Sequence, residues 1–218
     1  MSWEELHEVV KNWSDFSVER PFIQQQAPSL VDAAEEGLSK QYPDLELATL
    51  LILELEQRGS SKALTSASKI RVALREKGHQ PIPWLMQARR NLKFLKFEDK
   101  PKKNFTNSLY VILRDGFSES NGRYGIYVGE TSKTVDERFA QHLNGIDSGR
   151  GLPEHGMQLM HSLMWPWQKV PGAKRLFYEA ALHKALELNN INGPKISGNA
   201  EAVEKWPEGF QTTLQKKL

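Results

Sequence analysis

The spacing of apolar residues changes near the middle of the chain, and this change constrains the fold more than any other feature. Up to about residue 98 apolar side chains recur at three- and four-residue intervals, which predicts helices. After residue 104 they recur with the two-residue period of a strand, as in Leu109, Val111 and Leu113. The charged, proline-bearing segment 99–104 has neither period and predicts a linker. We therefore expect a helical domain at 1–103 and an α+β domain at 104–218.

Capping signals predict five helices in the first domain. Ser2 and Glu5 have the spacing of a capping box, which predicts a helix that runs to about Trp13. The other helices are expected to begin at Pro28, at Asp44, at Thr65 or Ser66, and at Trp84, and to end near Leu38, Gln57, Lys77 and Leu92. The third of them is apolar all round, so we expect it to be buried on more than one side.

In the second domain two β-rich runs, 109–114 and 124–129, predict an antiparallel hairpin across a polar turn. Thr134 and Glu137 predict a capped helix that ends at Asn144. The remaining elements are expected to be a short helix at 156–163, a strand at 164–170 and a last helix at 173–188. Pro166 lacks an N–H group, which places that strand at a sheet edge. The expected fold is a small three-stranded antiparallel sheet flanked by helices.

The charge is distributed unevenly, although the formal net charge is only +2. Residues 1–60 have a net charge of −8, residues 61–103 of +9, and the remainder of +1. This pattern excludes a histone-like polycation and predicts a polyanion contact near the middle segment. Helices three and four resemble a helix-turn-helix in general shape, and the alternative is a solvated face of a bundle. The candidate nucleic-acid-binding residues in this region are Lys69, Arg71, Arg75 and Lys102.

The chain has no cysteine, which excludes disulfides, thiolate-bound zinc, iron–sulfur clusters and thiol catalysis. Its longest apolar run, near residues 50–53, is much shorter than the roughly 20 residues that span a membrane. The acidic start of the chain is unlike a signal peptide. We therefore expect a soluble, cytoplasmic protein with no membrane partner. The oligomeric state does not follow from the sequence.

The most informative local pattern begins with Tyr127-Val128-Gly129. Arg138 follows the glycine by nine residues, and His142 follows Arg138 by four. A spacing of four places Arg138 and His142 one above the other on a helix face. The apolar face of that helix is expected to consist of Val135, Phe139 and Leu143. Arg138 and His142 are then expected to face the hairpin, and Gly129 to allow a turn or the close approach of a ligand.

These residues, with Tyr110, resemble the motifs of the GIY-YIG nuclease superfamily over roughly residues 107–200. The first motif is present in the variant form Ser108-Leu109-Tyr110 and the second as Tyr127-Val128-Gly129, while the overlapping string at residues 125–127 does not correspond to the first motif. The catalytic residues that the resemblance implies are Tyr110, Tyr127, Arg138, His142, Glu179 and Asn199, with Asn192 as an alternative to Asn199.

The chemistry of phosphodiester hydrolysis is consistent with these residue types. The resemblance implies one Mg²⁺ or Mn²⁺ ion held by Glu179, since these hard cations prefer oxygen ligands and keep several waters. Arg138 can bind two phosphate oxygens with its planar guanidinium. Either Tyr110 or Tyr127 can act as the general base, with His142 holding the base or the attacking water. Lys133 and Glu130, beside the second motif, are candidates to line the site, and Lys133 is a further candidate nucleic-acid-binding residue.

The resemblance thus implies a divalent-metal-dependent endonuclease that hydrolyses DNA, for which a restriction-type enzyme is the first setting we consider. One alternative is a nucleic-acid-binding or protein-interaction module that has the nuclease scaffold and no turnover. Another alternative is cleavage of RNA.

Overall fold

The computed structural model describes residues 1–13, 15–40, 43–93, 95, 105–116, 124–164, 168–187 and 195–198. The chain divides into two compact units, Met1–Leu85 and Met86–Leu218. This division comes earlier than the boundary expected after residue 103. The linker proposed at 99–104 lies outside the described residues.

The first unit is helical. Its helices are α1 (Trp3–Lys11), α2 (Ala27–Ser39), α3 (Leu45–Arg58) and α4 (Ser61–Glu76). α3 is buried along most of its length and packs against α1, α2 and α4, which confirms the expectation that it is enclosed on more than one side. Because α3 is enclosed on several sides, its apolar residues are spread around the helix and do not form a stripe on one face.

The helix ends of this unit show which capping predictions were correct. Ser2 and Glu5 form the predicted capping box, and the Asp44 carboxylate accepts a hydrogen bond from the backbone N–H of Leu47 at the start of α3. The prediction that Thr65 or Ser66 begins α4 was wrong. Ser60 caps this helix, because Gly59 adopts a φ of +67° and reverses the chain directly after α3.

The second unit combines helices with a sheet. It contains α5 (Leu85–Leu92), β1 (Asn107–Arg114), β2 (Gly125–Thr131), α6 (Val135–Leu143), α7 (Leu152–His155), β3 (Gly156–Leu159), β4 (Gln168–Val170), α8 (Arg175–Glu187) and β5 (Ile196–Ser197). Single 3₁₀ turns lie at His161–Leu163 and Gly172–Lys174. The α+β class is therefore confirmed, and so is the capping box of Thr134 and Glu137 that begins α6.

The sheet differs from the expected three-stranded antiparallel one. Its described strands are five, in the order β3-β1-β2-β5, with β4 also paired to β1, and the β2–β5 pairing is parallel. The predicted helix at 156–163 was wrong in its first half, because Gly156–Leu159 pairs with the inner strand β1. The strand predicted at 164–170 is present at Gln168–Val170. β5 has two residues, too few to show a period.

The register of the hairpin determines where its side chains lie. β1 and β2 are antiparallel, with Tyr110 opposite Gly129 and Ile112 opposite Tyr127. Since successive side chains alternate between the two faces, Tyr110 and Tyr127 share one face of the sheet. α6 contacts β1 and β3, and α8 contacts β1 and β2. The hairpin thus brings two tyrosines together beside two helices.

Candidate active site

A buried tyrosine–histidine pair lies at the centre of the site. The Tyr110 hydroxyl and the Nε2 atom of His142 are 2.7 Å apart, and both side chains are almost fully buried. The backbone N–H of Gly149 donates to Nδ1 of His142 at 3.3 Å. Because a backbone N–H can only donate, Nδ1 is an acceptor and the ring proton is on Nε2. His142 therefore donates to the Tyr110 oxygen.

Gly129 makes room for both tyrosine rings. A Cβ atom at this position would lie 2.5 Å from the Tyr110 hydroxyl and 2.8 Å from Cε1 of Tyr127. The two ring centroids are 6.1 Å apart, and the Tyr127 ring meets the His142 ring edge-on at 5.4 Å. The glycine was expected to allow a turn or a ligand. It instead lies inside β2, where the missing side chain lets two aromatic rings converge.

The electrostatics of this cluster follow from burial and from its neighbours. Burial and the proximity of Tyr127 raise the pKa of the Tyr110 hydroxyl, against an opposing effect of Arg138. Burial raises the pKa of Tyr127 as well, and the negative charge of Glu179 raises it further. Burial and the Arg138 charge lower the pKa of His142 to about 4. His142 is therefore neutral at pH 7.

α6 packs through a different face from the one expected. Its buried residues are Val135 and His142, whereas Leu143 is 40 % exposed and Phe139 is half-buried. The polar His142 is buried because its ring nitrogens are both hydrogen-bonded, to Tyr110 and to the 148–149 loop. The expectation that His142 faces the hairpin is thus confirmed, while the predicted apolar face is buried at Val135 and not at Leu143.

Arg138 lies one turn before His142 and is half-buried. Its guanidinium donates to the carbonyl oxygens of Asp147 and Ile146, at 2.8 and 3.4 Å, and to the side chain of Gln141. These acceptors come from the loop after α6, where Asp147 has a φ of +45° and turns the chain back. Among the described residues no carboxylate forms an ion pair with Arg138, and the acceptors named above are neutral oxygens.

Glu179, on α8, completes the cluster. Its side chain is 4 % exposed, and its charge acts on Tyr127. One buried carboxylate is a donor of the hard-oxygen type that Mg²⁺ or Mn²⁺ prefers, so the residue fits such an ion. Within the described part of the chain, no group of three or more His, Asp or Glu side chains could hold a metal. Among the described residues, Glu179 is therefore the one predicted ligand for such an ion.

The other predicted site residues differ in their exposure and in their partners. Lys69 and Arg75 are exposed on α4, and Lys133 is exposed beside the end of β2. Arg71 is paired to Glu56 at 2.8 Å. Residues Lys102, Asn192 and Asn199 lie outside the described residues, so their predicted roles are not addressed.

One arginine of the basic segment 61–103 has a structural role. The guanidinium of Arg89, on α5, is buried and donates to the carbonyl oxygen of Ser162 at 2.6 Å. The high positive charge of that segment therefore overstates the charge that is available to a partner.

A surface pocket of about 410 Å³ adjoins the cluster on the Arg138 side. Arg138 forms part of its lining together with Lys133, Glu130 and Arg175. No sequence motif includes Arg175. A single arginine at the start of a helix is usually a solvent-exposed residue, so its position alone does not indicate a function. Its spacing of four residues from Glu179 was the one available signal.

The chain matches no protein-family model, and searches among curated proteins and among solved structures gave no significant match. The resemblance to GIY-YIG nucleases therefore depends on the motifs of this chain alone. Among the described helices, none is long and apolar enough to cross a membrane.

Proposed function

We propose that this protein is a divalent-metal-dependent endonuclease of the GIY-YIG type that hydrolyses DNA phosphodiester bonds. The observation that carries the proposal is the contact of the paired-strand tyrosines with His142, where Tyr110 and Nε2 lie 2.7 Å apart. Tyr110 and Tyr127 come from two strands, and His142 and Arg138 from α6. A purely structural role does not account for so many ionisable groups at one place.

Arg138 is the group that binds the scissile phosphate. Its guanidinium is held by two backbone carbonyls of the 146–147 loop, so its orientation is fixed before substrate arrives. Its hydrogen bonds go to neutral oxygens, and its positive charge remains available to stabilise negative charge on phosphate oxygens.

Tyr127 is the tyrosine that we assign as general base. It is less buried than Tyr110 and lies near Glu179, whose negative charge adds to burial in raising its pKa, so without a cation its hydroxyl is protonated at pH 7. A divalent ion at Glu179 would offset that negative charge and supply an activated water. Tyr110 accepts a hydrogen bond from His142. Its ring and the Tyr127 ring both occupy the space that a side chain at Gly129 would fill, so Tyr110 helps to position the Tyr127 ring. His142 stays neutral and donates to Tyr110.

The helical unit is the part we propose for contact with DNA outside the site. Lys69 and Arg75 are exposed on α4, the second helix of the α3–α4 pair joined by Gly59 and Ser60. Their charges suit phosphate oxygens, which supply most of the sequence-independent affinity for DNA. A restriction-type role, in which this unit selects the target, is our first choice of biological setting.

The test is incubation of the protein with supercoiled plasmid in Mg²⁺ or Mn²⁺, beside an EDTA control. We expect nicking in the metal samples and none in EDTA. Arg138→Ala should abolish nicking, while Lys184→Ala, which removes an exposed charge from α8, should nick at the wild-type rate. A parallel reaction with single-stranded RNA separates the two substrates. No turnover with any metal or substrate would contradict the proposal and favour a binding module without activity.

A further inference from the structure

The pocket beside Arg138 is lined by a second arginine, Arg175, which hydrogen bonds hold in one orientation. Arg175 donates from Nε to Oε1 of Glu130 at 3.1 Å and from Nη1 to the carbonyl oxygen of Gly172 at 3.1 Å. The other oxygen of Glu130, Oε2, accepts from Asn107 Nδ2 at 2.9 Å. Both oxygens of the carboxylate are therefore occupied, and Arg175 is held in one orientation.

The stability of the unit does not account for this arrangement. Arg175 is 43 % exposed, and ion pairs at such exposed positions contribute about 0–1 kcal/mol. Holding a long side chain with two hydrogen bonds nevertheless costs rotamer entropy. What the arrangement achieves is orientation, since the remaining guanidinium group, Nη2, has no partner among the described residues.

The surroundings of Arg175 favour an anion. The pocket is lined by three basic side chains, Lys133, Arg138 and Arg175, and by two acidic ones, Glu130 and Asp147. Glu130 is committed to Arg175 and Asn107, and Asp147 contributes its backbone carbonyl to Arg138. Arg175 begins α8 one turn before Glu179, so the two lie on the same side of that helix.

We propose that Arg175 is a positioning residue that binds a backbone phosphate of the nucleic acid next to the scissile one. Arg138, Arg175 and Lys133 line the same pocket, so a strand that enters it can meet all three. The strand is thereby held across the face of the cluster. This inference rests on the proposed nuclease function, and it adds a phosphate subsite that the motif residues do not include.

The test measures binding and turnover separately. Binding of a short fluorescein-labelled DNA duplex is followed by anisotropy in EDTA, where hydrolysis does not run, over a series of salt concentrations. For Arg175→Ala we expect a dissociation constant raised on the order of tenfold. The slope of log K against log salt should fall by about one, because one phosphate contact is lost. With Mg²⁺ the KM should rise by a similar factor while kcat stays near wild type.

Two further variants separate the subsite from a structural role. Lys184→Ala removes an exposed charge from the same helix outside the pocket, and should leave affinity, salt slope and KM unchanged. Arg175→Lys keeps the charge and loses the planar fork, so it should keep the salt slope and bind several-fold more weakly than wild type. Thermal unfolding shows whether Arg175→Ala folds. If it does not, the affinity and salt slope of Arg175→Lys still test the subsite.

The outcomes are distinguishable from failure of the proposed function. Wild-type protein that neither binds nor cleaves nucleic acid contradicts the nuclease proposal itself. If wild type cleaves and Arg175→Ala keeps the wild-type salt slope and KM, the subsite is overturned and the nuclease stands. A variant that lowers kcat at unchanged KM also overturns it, because Arg175 would then act in the transition state. A second series with single-stranded RNA shows which backbone the subsite accepts.

Discussion

The two units bury charged side chains in different ways. In the helical unit the buried Glu54 receives hydrogen bonds from Arg20 and Arg58, so its charge is matched by two guanidinium groups. In the α+β unit the buried Tyr110 and His142 contact each other and Glu179 acts on the neighbouring Tyr127, close to Arg138, which has no carboxylate partner among the described residues. The first arrangement is explained by folding alone. The second gathers ionisable groups with shifted pKa values at one place, which is typical of a binding site.

The largest difference between the units is expected in catalysis. Tyr127→Phe removes the assigned base and keeps the ring, so the single-turnover rate should fall by about 10²- to 10⁴-fold. Tyr110→Phe removes the acceptor of the His142 proton and should have a smaller effect. Plasmid nicking under single-turnover conditions measures both rates. A greater loss for Tyr110→Phe would reverse the assignment of the two tyrosines.

In the helical unit the largest expected effect is on stability. Glu54→Ala removes the carboxylate that two guanidinium groups share and should lower the free energy of unfolding by about 1.5–3 kcal/mol, since both arginines keep some access to solvent. The matched control is Glu56→Ala, since Glu56 pairs with Arg71 at the surface, where such pairs contribute about 0–1 kcal/mol. Urea unfolding measures both. Similar losses for the two variants would remove the distinction between buried and surface pairs in this unit.

Acid should affect the two units over different pH ranges. The pKa of His142 is lowered from 6.5 to about 4, so the unfolded chain takes up a proton first as the pH falls. The stabilisation from neutral His142 is complete above pH 6.5 and is lost between about 6.5 and 4. Burial lowers the pKa of His183 as well, which acts in the same direction.

The corresponding change in the helical unit needs more acid. Burial opposes the charge of Glu54, but the hydrogen bonds from Arg20 and Arg58 outweigh it and hold the pKa of Glu54 below 4.5. Its stabilisation is therefore present above pH 4.5 and is lost as the pH falls through the lower, folded-state pKa. Urea unfolding followed by NMR signals from each unit, at pH 7 and pH 5, should show weakening of the α+β unit alone. His142→Gln should reduce that weakening, and equal weakening of both units would contradict the account.

The smallest expected effects come from replacing one glycine in each unit with alanine. A Cβ at Gly129 would lie 2.5 Å from the Tyr110 hydroxyl, and one at Gly37 would overlap the Trp3 ring. Each alanine variant should therefore destabilise its unit by about 1–3 kcal/mol. Only Gly129→Ala should also impair nicking under conditions where the protein stays folded. Circular dichroism and the plasmid assay provide the two readouts, and normal nicking by Gly129→Ala would show that the ring positions are not critical.

The sequence predicted local features well and distant contacts poorly. The capping of α3 by Asp44 and of α6 by Thr134 depends on residues three apart, so a short pattern was sufficient. β3 was mistaken for a helix because its strand character comes from pairing with β1, which is more than forty residues earlier. Likewise the Tyr110–His142 contact depends on hairpin register and helix packing. The orientation of Arg175 depends on Glu130 and Asn107, which no spacing along the chain connects to it.

The most direct test of the central claim is the single-turnover nicking rate of Glu179→Gln in Mg²⁺, measured with DNA affinity on the same preparation. Glu179→Gln keeps the shape of the side chain and removes the charge, and Glu187→Gln makes the same change at an exposed position two turns later on α8. The account predicts near-normal DNA affinity for both variants, no nicking above the EDTA background for Glu179→Gln, and wild-type nicking for Glu187→Gln. Nicking by Glu179→Gln at the wild-type rate would contradict it.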